Sequence, residues 1–272
     1  MKRILFILIS LYIGILAAQA ANIPHLLPWP QKVAWNGKKF QYRGTFVSLT
    51  ENFCSIGMEQ PAGNKITGNP SSHPALSVKW GEDFPDIPLN GNEAYKLRVT
   101  SKGVEIEAIT ETGVYRAIQT LRQLTEKKGN GIAITGCEIT DWPASRIRGF
   151  MQDVGRTYIS TDELNREIAI LARYKINVFH WHLTENQAWR LQSKVFPMLN
   201  DSVNTTRQPG KYYTLEEARE LAAFCKQHHV LLIPEIDMPG HSAAFVRTFR
   251  HDMQSPEGLK ILKLLIDEVI ET

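Results

Sequence analysis

The sequence predicts an α/β protein in two parts: a small α+β domain, then the first three β/α units of an incomplete (β/α)8 (TIM) barrel. Three observations predict it. Two alternating stretches flank a short turn after Asn92 and lead into a helical repeat. Beyond Trp142, nearly unbroken apolar runs of strand length alternate with amphipathic helices, the pattern of a parallel sheet buried on both faces. Polar residues gather just after those runs, at Asp153 to Arg156, His182 to Glu185 and Asp237 to His241, the end where a barrel keeps its chemistry.

The elements follow in chain order. "MKRILFILISLYIGILAAQA" has Lys2 and Arg3, an apolar run to Ala18, and small residues at Ala18 and Ala20. It reads as a secretory signal peptide over residues 1–20, cut after Ala20, so export to the periplasm or the medium is expected. The run is short for a spanning helix, and no Cys near the cut suggests a lipid anchor. Residues 21–143 are expected to form the small domain and 144–272 the partial barrel. The Gly-, Pro-, Asn- and Ser-rich stretch between Gly57 and Asn92 reads as loops with one short strand at most. "EAYKLRVTS" and "GVEIEAIT" form a hairpin about Ser101-Lys102-Gly103. "GVYRAIQTLRQLTEKK" is expected to be one helix, with Tyr115, Ile118, Leu121 and Leu124 on the covering face.

In the second part "RIRGFMQDV", "INVFHWHL" and "VLLIPEID" read as strands. "STDELNREIAILARYK" and "TLEEARELAAFCKQHH" read as helices whose capping boxes are Ser160 with Glu163 and Thr214 with Glu217. "SPEGLKILKLLIDEVIET" is a last helix with Pro256 in its first turn. A full barrel takes about 250 residues, and only Ser145 to Thr272 remain for it. The expectation is therefore a chain that forms the N-terminal part of a longer protein, with apolar strand edges open.

Composition removes several classes. The formal charge of +3 is spread along 272 residues without a dense basic run, so no nucleic-acid partner is expected. No Gly-rich phosphate turn follows the first barrel strand, which removes the nucleotide reading, and no cofactor is expected. Cys54, Cys137 and Cys225 have neither metal nor redox spacing, and at most one pair could bridge.

The candidate site residues lie in the three polar clusters. His180 and His182 share a strand face; they suit an interior hydrogen-bonded pair, the wall of a pocket, or the start of a metal site. A metal would need more ligands, for which Asp237 and His241 stand out, and none is expected. Glu185 lies beyond the strand, where a carboxylate can accept sugar hydroxyls or orient a histidine. The Pro239-Gly240 turn can bring His241 back over the mouth beside Asp237. Arg156 offers a planar fork of donors suited to neighbouring hydroxyls, or to a salt bridge with Asp153 or Asp162.

"RGFMQDVGR", "YKINVFHWHLTENQAWRLQ" and "LLIPEIDMPGHS", in this order, closely resemble the family 20 glycoside hydrolases, the β-N-acetylhexosaminidases. "LLPWPQKVAW" and "GVYRAIQTLRQL" resemble that family's small domain. The resemblance implies an exo-enzyme removing terminal β-linked N-acetylglucosamine or N-acetylgalactosamine with retention, the substrate's own acetamido oxygen acting as nucleophile. It implies that Arg156 binds hydroxyls of the terminal sugar, that Glu185 and His241 pair, and that Asp237 supports them. Asp153, His180 and His182 are further candidates. Glu185-Asn186 replaces the family's usual aspartate pair. The family's catalytic Asp-Glu pair, which follows a Gly-Gly turn, is absent, and is expected beyond Thr272; Asp267 and Glu268 read as helix residues instead. A non-catalytic glycan-binding protein and a metal-dependent barrel hydrolase are the alternatives.

Overall fold

The computed structural model describes residues 24–54 and 75–272. The leader expected over residues 1–20, the side chain of Cys54 and much of the loop-rich stretch lie outside the described residues. None of the described helices is long and apolar enough to cross a membrane. The chain divides into two compact units, Met1–Ala144 and Ser145–Thr272.

The first unit contains strands β1 (Lys32–Tyr42), β2 (Leu76–Trp80), β3 (Tyr95–Thr100), β4 (Gly103–Ala108), β5 (Thr125–Lys128) and β6 (Gly131–Asp141), with helices α1 (Phe46–Cys54) and α2 (Glu111–Gln123). The sheet runs β1-β6-β3-β4-β2, with β5 paired to β6 off that path. Alternation on β3 and β4 sends Tyr95, Leu97, Val99, Val104, Ile106 and Ala108 to one buried face. There they meet Val114, Ala117, Ile118 and Leu121 of α2 in one cluster. The opposite face carries charges paired across strands, Lys96 with Glu107 and Arg98 with both Glu105 and Glu138.

The hairpin is as the sequence predicts, but "TEKK" leaves the helix. Thr125 to Lys128 pair antiparallel with Gly131 to Ile134. The apolar stripe of α2 ends at Leu124, whose N–H closes the last turn on Thr120 and Leu121. Glu126, Lys127 and Lys128 have no apolar face to bury, so sheet hydrogen bonds replace helical ones.

The second unit holds a parallel three-stranded sheet in the order β7 (Gly149–Asp153), β8 (Val178–His182) and β9 (Leu231–Glu235). Between these strands lie helices α3 (Thr161–Arg173) and α4 (Leu215–Gln227), followed by α5 (Ala243–Phe249) and α6 (Pro256–Ile270). Both expected capping boxes are formed, with Ser160 and Thr214 accepting from the main-chain N–H of Glu163 and Glu217. Phe179 and Trp181 of β8 are buried. Among the described residues β7 and β9 are the sheet's edges, and Met151, Leu231 and Ile233 are exposed there, 53, 61 and 42%. The register lays alternate residues in rows: Gly149, Val178, Leu231; then Met151, His180, Ile233; then Asp153, His182, Glu235. That is the layered arrangement of a barrel interior, apolar below and polar at the carboxyl ends.

Candidate active site

The top row, with His180 from the row below it, supplies the floor of the site. His180 Nε2 and His182 Nδ1 lie 2.6 and 2.8 Å from the same oxygen of Glu235. The two histidines therefore share one carboxylate, and Glu235 is a residue that the sequence gives no reason to single out. Its signal is a position two before Asp237, but only the β8–β9 register, which sets His182 opposite Glu235, gives it a role.

Above the floor, turns from all three strands converge. Val154 and Gly155 both donate to the carbonyl of His182, at 3.1 and 3.2 Å, which folds the β7 exit over β8. Glycine is needed there, since a Cβ on Gly155 would lie 2.7 Å from Glu185 Cβ. Arg156 follows. Its main-chain N–H and its Nη1 donate to the two oxygens of Asp153, at 3.0 and 2.5 Å. Its Nη2 contacts Glu185 and lies 3.5 Å from His241 Nδ1. The Asp153 hydrogen bond is the main cause of a raised Arg156 pKa, with Glu185 adding to it.

Glu185 is 1% exposed, and one of its oxygens faces both Arg156 and the His241 ring. The other accepts from the N–H of Asn186. His241 stands in the left-handed backbone region, φ +50°, an uncommon conformation for a residue other than glycine. It places Nδ1 on Glu185 and Nε2 at 3.9 Å from Asp237. Asp237 in turn donates its main-chain N–H to Thr184 Oγ1 at 2.9 Å, tying the β9 exit to the β8 exit. One run of charge thus passes from Asp153 through Arg156, Glu185 and His241 to Asp237. β9 itself stops at Glu235, so Asp237 sits in the turn and not on the strand.

Asn186 points elsewhere. Its Oδ1 accepts from Ala243 at the start of α5, and its carbonyl accepts from Arg247 Nη2 at 2.7 Å near the end of that helix. It anchors a helix while Glu185 alone of the pair enters the charged cluster.

Among the described residues, His182, Glu235 and Asp237 form the one group of three whose ligand atoms all lie within 4.8 Å of one another. Glu235 meets His180 Nε2 and His182 Nδ1 at hydrogen-bond distance, and His182 Nε2 is buried with no hydrogen-bond partner among the described residues. Asp267 and Glu268 are both in α6. Glu268 accepts from Ser193 Oγ and from the main-chain N–H groups of Lys194 and Val195, at 2.7, 2.6 and 3.3 Å, so it pins the loop after β8. Cys137 and Cys225 are free buried thiols, which removes a bridge between them.

Residues 24–142 match the sequence profile of "Glycosyl hydrolase family 20, domain 2", and residues 146–261 that of the family's catalytic domain. The chain belongs to glycosyl hydrolase family 20. A beta-hexosaminidase of Porphyromonas gingivalis is 38% identical over 176 residues, covering 60% of this chain and 22% of that protein. The crystal structure of a beta-N-acetylhexosaminidase from Bacteroides fragilis superposes with a TM-score of 0.73 at 26% identity, over 90% of this chain and 54% of the other. A mutant Streptomyces plicatus beta-hexosaminidase in complex with the product GlcNAc gives 0.68 at 27% identity, over 87% and 51%. The chain therefore spans from about a fifth to about half the length of these family members.

Proposed function

We propose that the protein works as an exported exo-β-N-acetylhexosaminidase, releasing terminal β-linked N-acetylglucosamine or N-acetylgalactosamine from oligosaccharides or glycoconjugates. The observation that carries this reading is the meeting of Arg156, Glu185, Asp237 and His241 at one rim, on turns from three parallel strands. A fork of donors beside a buried acceptor suits vicinal ring hydroxyls, which each donate one hydrogen bond and accept others.

In the reaction proposed, the acetamido oxygen of the substrate attacks the anomeric carbon as the bond to the leaving oxygen breaks, and a general acid protonates that oxygen. Water then opens the oxazolinium ion with the same group acting as base, so configuration is retained. We assign the acid–base carboxyl and the carboxylate that orients the acetamido group to residues outside these 272. Within the chain, Arg156 and Glu185 hold the sugar. His241, with Asp237 beside it, orients Glu185.

Calorimetric titration of the chain with N-acetylglucosamine tests the binding half. Saturable heat that disappears in Arg156→Ala supports it, and no heat at millimolar sugar rejects it. The assignment of the acid is tested with a chromogenic β-N-acetylglucosaminide: the 272-residue chain is expected not to hydrolyse it, and turnover at enzymatic rates would overturn that assignment.

A further inference from the structure

Arg190 lies outside the charged cluster and is fully buried. Its guanidinium meets main-chain carbonyls: Nε donates to Val154 at 3.0 Å, Nη1 to Gln208 and Lys211 at 3.2 and 2.6 Å, and Nη2 to Arg207 at 2.9 Å. None of these four partners is a carboxylate. Burial lowers the pKa of Arg190, the mark of a cation held largely by dipoles. Keeping such a group out of water is costly, and four converging carbonyls are the structure's compensation.

The carbonyls come from two places that the main chain does not otherwise bring together. Val154 is the turn two residues before Arg156, and its own N–H is already fixed to His182. Arg207, Gln208 and Lys211 belong to an exposed loop, and the side chain of Gln208 reaches back to accept from the N–H of Tyr158 at 2.6 Å. The main chain of Arg190 is also anchored, donating to Leu183 and accepting from Tyr213 at 3.0 and 2.7 Å. Planar geometry lets one guanidinium satisfy all of these at once, which a lysine ammonium cannot do.

We propose that Arg190 is a positioning residue that locks the β7 exit turn, and with it Arg156, to the 207–211 loop, making them one rigid wall of the sugar site. The sugar-binding part rests on the function proposed above; the locking part does not. Arg190→Met and Arg190→Lys in the full chain test both. Trypsin cuts after Arg207 and Lys211, bonds whose carbonyls Arg190 holds. In Arg190→Met, cleavage there is expected to speed up at least about tenfold, while cuts at Arg166, Arg173 and Lys226 in the helices change less than about twofold. Arg190→Lys is expected to fall between. Unchanged resistance at the two loop bonds, or an equal rise everywhere, overturns the proposal.

A measurement on the wild-type chain stands even if no variant folds. The Arg190 Nε–H should exchange with solvent at least about 100-fold more slowly than that of exposed Arg207, read with isotope-labelled arginine. Equal rates overturn the lock. Where the wild type binds N-acetylglucosamine, Arg190→Met should weaken it about fivefold or more, and unchanged affinity refutes the link to Arg156. No binding by the wild type rejects the functional reading, while cleavage and exchange still decide the lock.

Discussion

Replacing Gly155 by alanine is the sharpest test of how the site is assembled. The new Cβ would lie 2.7 Å from Glu185 Cβ, 3.2 Å from Glu185 N and 3.2 Å from Thr184 C, so it strikes main chain and a side-chain root, not a flexible tip. Ordinary carbon contacts begin near 3.6 Å, so the turn and the loop must part by about 0.9 Å. The turn cannot yield downward, because Val154 and Gly155 are both bonded to His182. Relief falls on the contact between Arg156 and Glu185. Forced separation of this size costs about 1–3 kcal/mol, and an ångström of misplacement between binding groups lowers affinity by about ten- to a hundredfold. Urea unfolding followed by tryptophan fluorescence reads the first quantity and sugar titration the second. If Gly155→Ala unfolds within about 0.5 kcal/mol of the wild type and binds N-acetylglucosamine equally, the close approach is not what sets the geometry, and the account of the turn is wrong.

Arg156→Lys keeps the charge and loses the fork, so sugar affinity should fall about tenfold or more with little change in the urea midpoint; retained affinity would mean that charge alone is used. Asn186→Ala removes the acceptor for Ala243 at the start of α5 and should cost about 1 kcal/mol in urea without altering sugar affinity, and an affinity loss would place Asn186 in the pocket instead. Burial raises the Cys137 and Cys225 thiols from 9.0 to about 12. Both should resist a thiol reagent in the folded chain at pH 8 and react on unfolding. Since the unfolded chain loses these protons first, the thiols' contribution to stability is complete below about pH 9, falls as pH rises, and levels off near 12. Stability that climbs between pH 9 and 11 would contradict their burial.

Local signals were legible and through-space ones were not. The capping boxes at Ser160 and Thr214 involve residues three apart, so spacing alone reveals them. Alternation likewise gives β3 and β4, because one face is buried and the other is charged. The end of α2 is harder: "TEKK" has helical propensity, and only its pairing with residues 131–134 makes it a strand. Glu235 becomes meaningful through a register between residues 53 apart in sequence. Asn186 shows the same limit from the other side. It stands where the resembling family usually has a second aspartate, yet its partner is Ala243, 57 residues on. Arg190 leaves no pattern in the sequence because carbonyls are present at every residue.

On the function proposed above, the rim would recognise a neutral sugar by the direction of its hydrogen bonds. Arg156 is flanked by Asp153 and Glu185, and Glu185 by Arg156 and His241, so each charge already has an opposite or polar neighbour. With Asp237 the cluster holds three carboxylates against one guanidinium, an excess of negative charge that a neutral ligand does not use. What it offers is direction: a planar donor fork on one side, and on the other a 1%-exposed carboxylate whose oxygens are both engaged. A ring hydroxyl can enter by accepting from one partner and donating to the next, which leaves the number of hydrogen bonds nearly unchanged and makes the gain depend on geometry. Affinity should therefore respond more to small displacements than to ionic strength. An apparent affinity for N-acetylglucosamine that collapses between 0.05 and 0.5 M salt would show that long-range charge, screened over about 10 Å and less, holds the sugar instead.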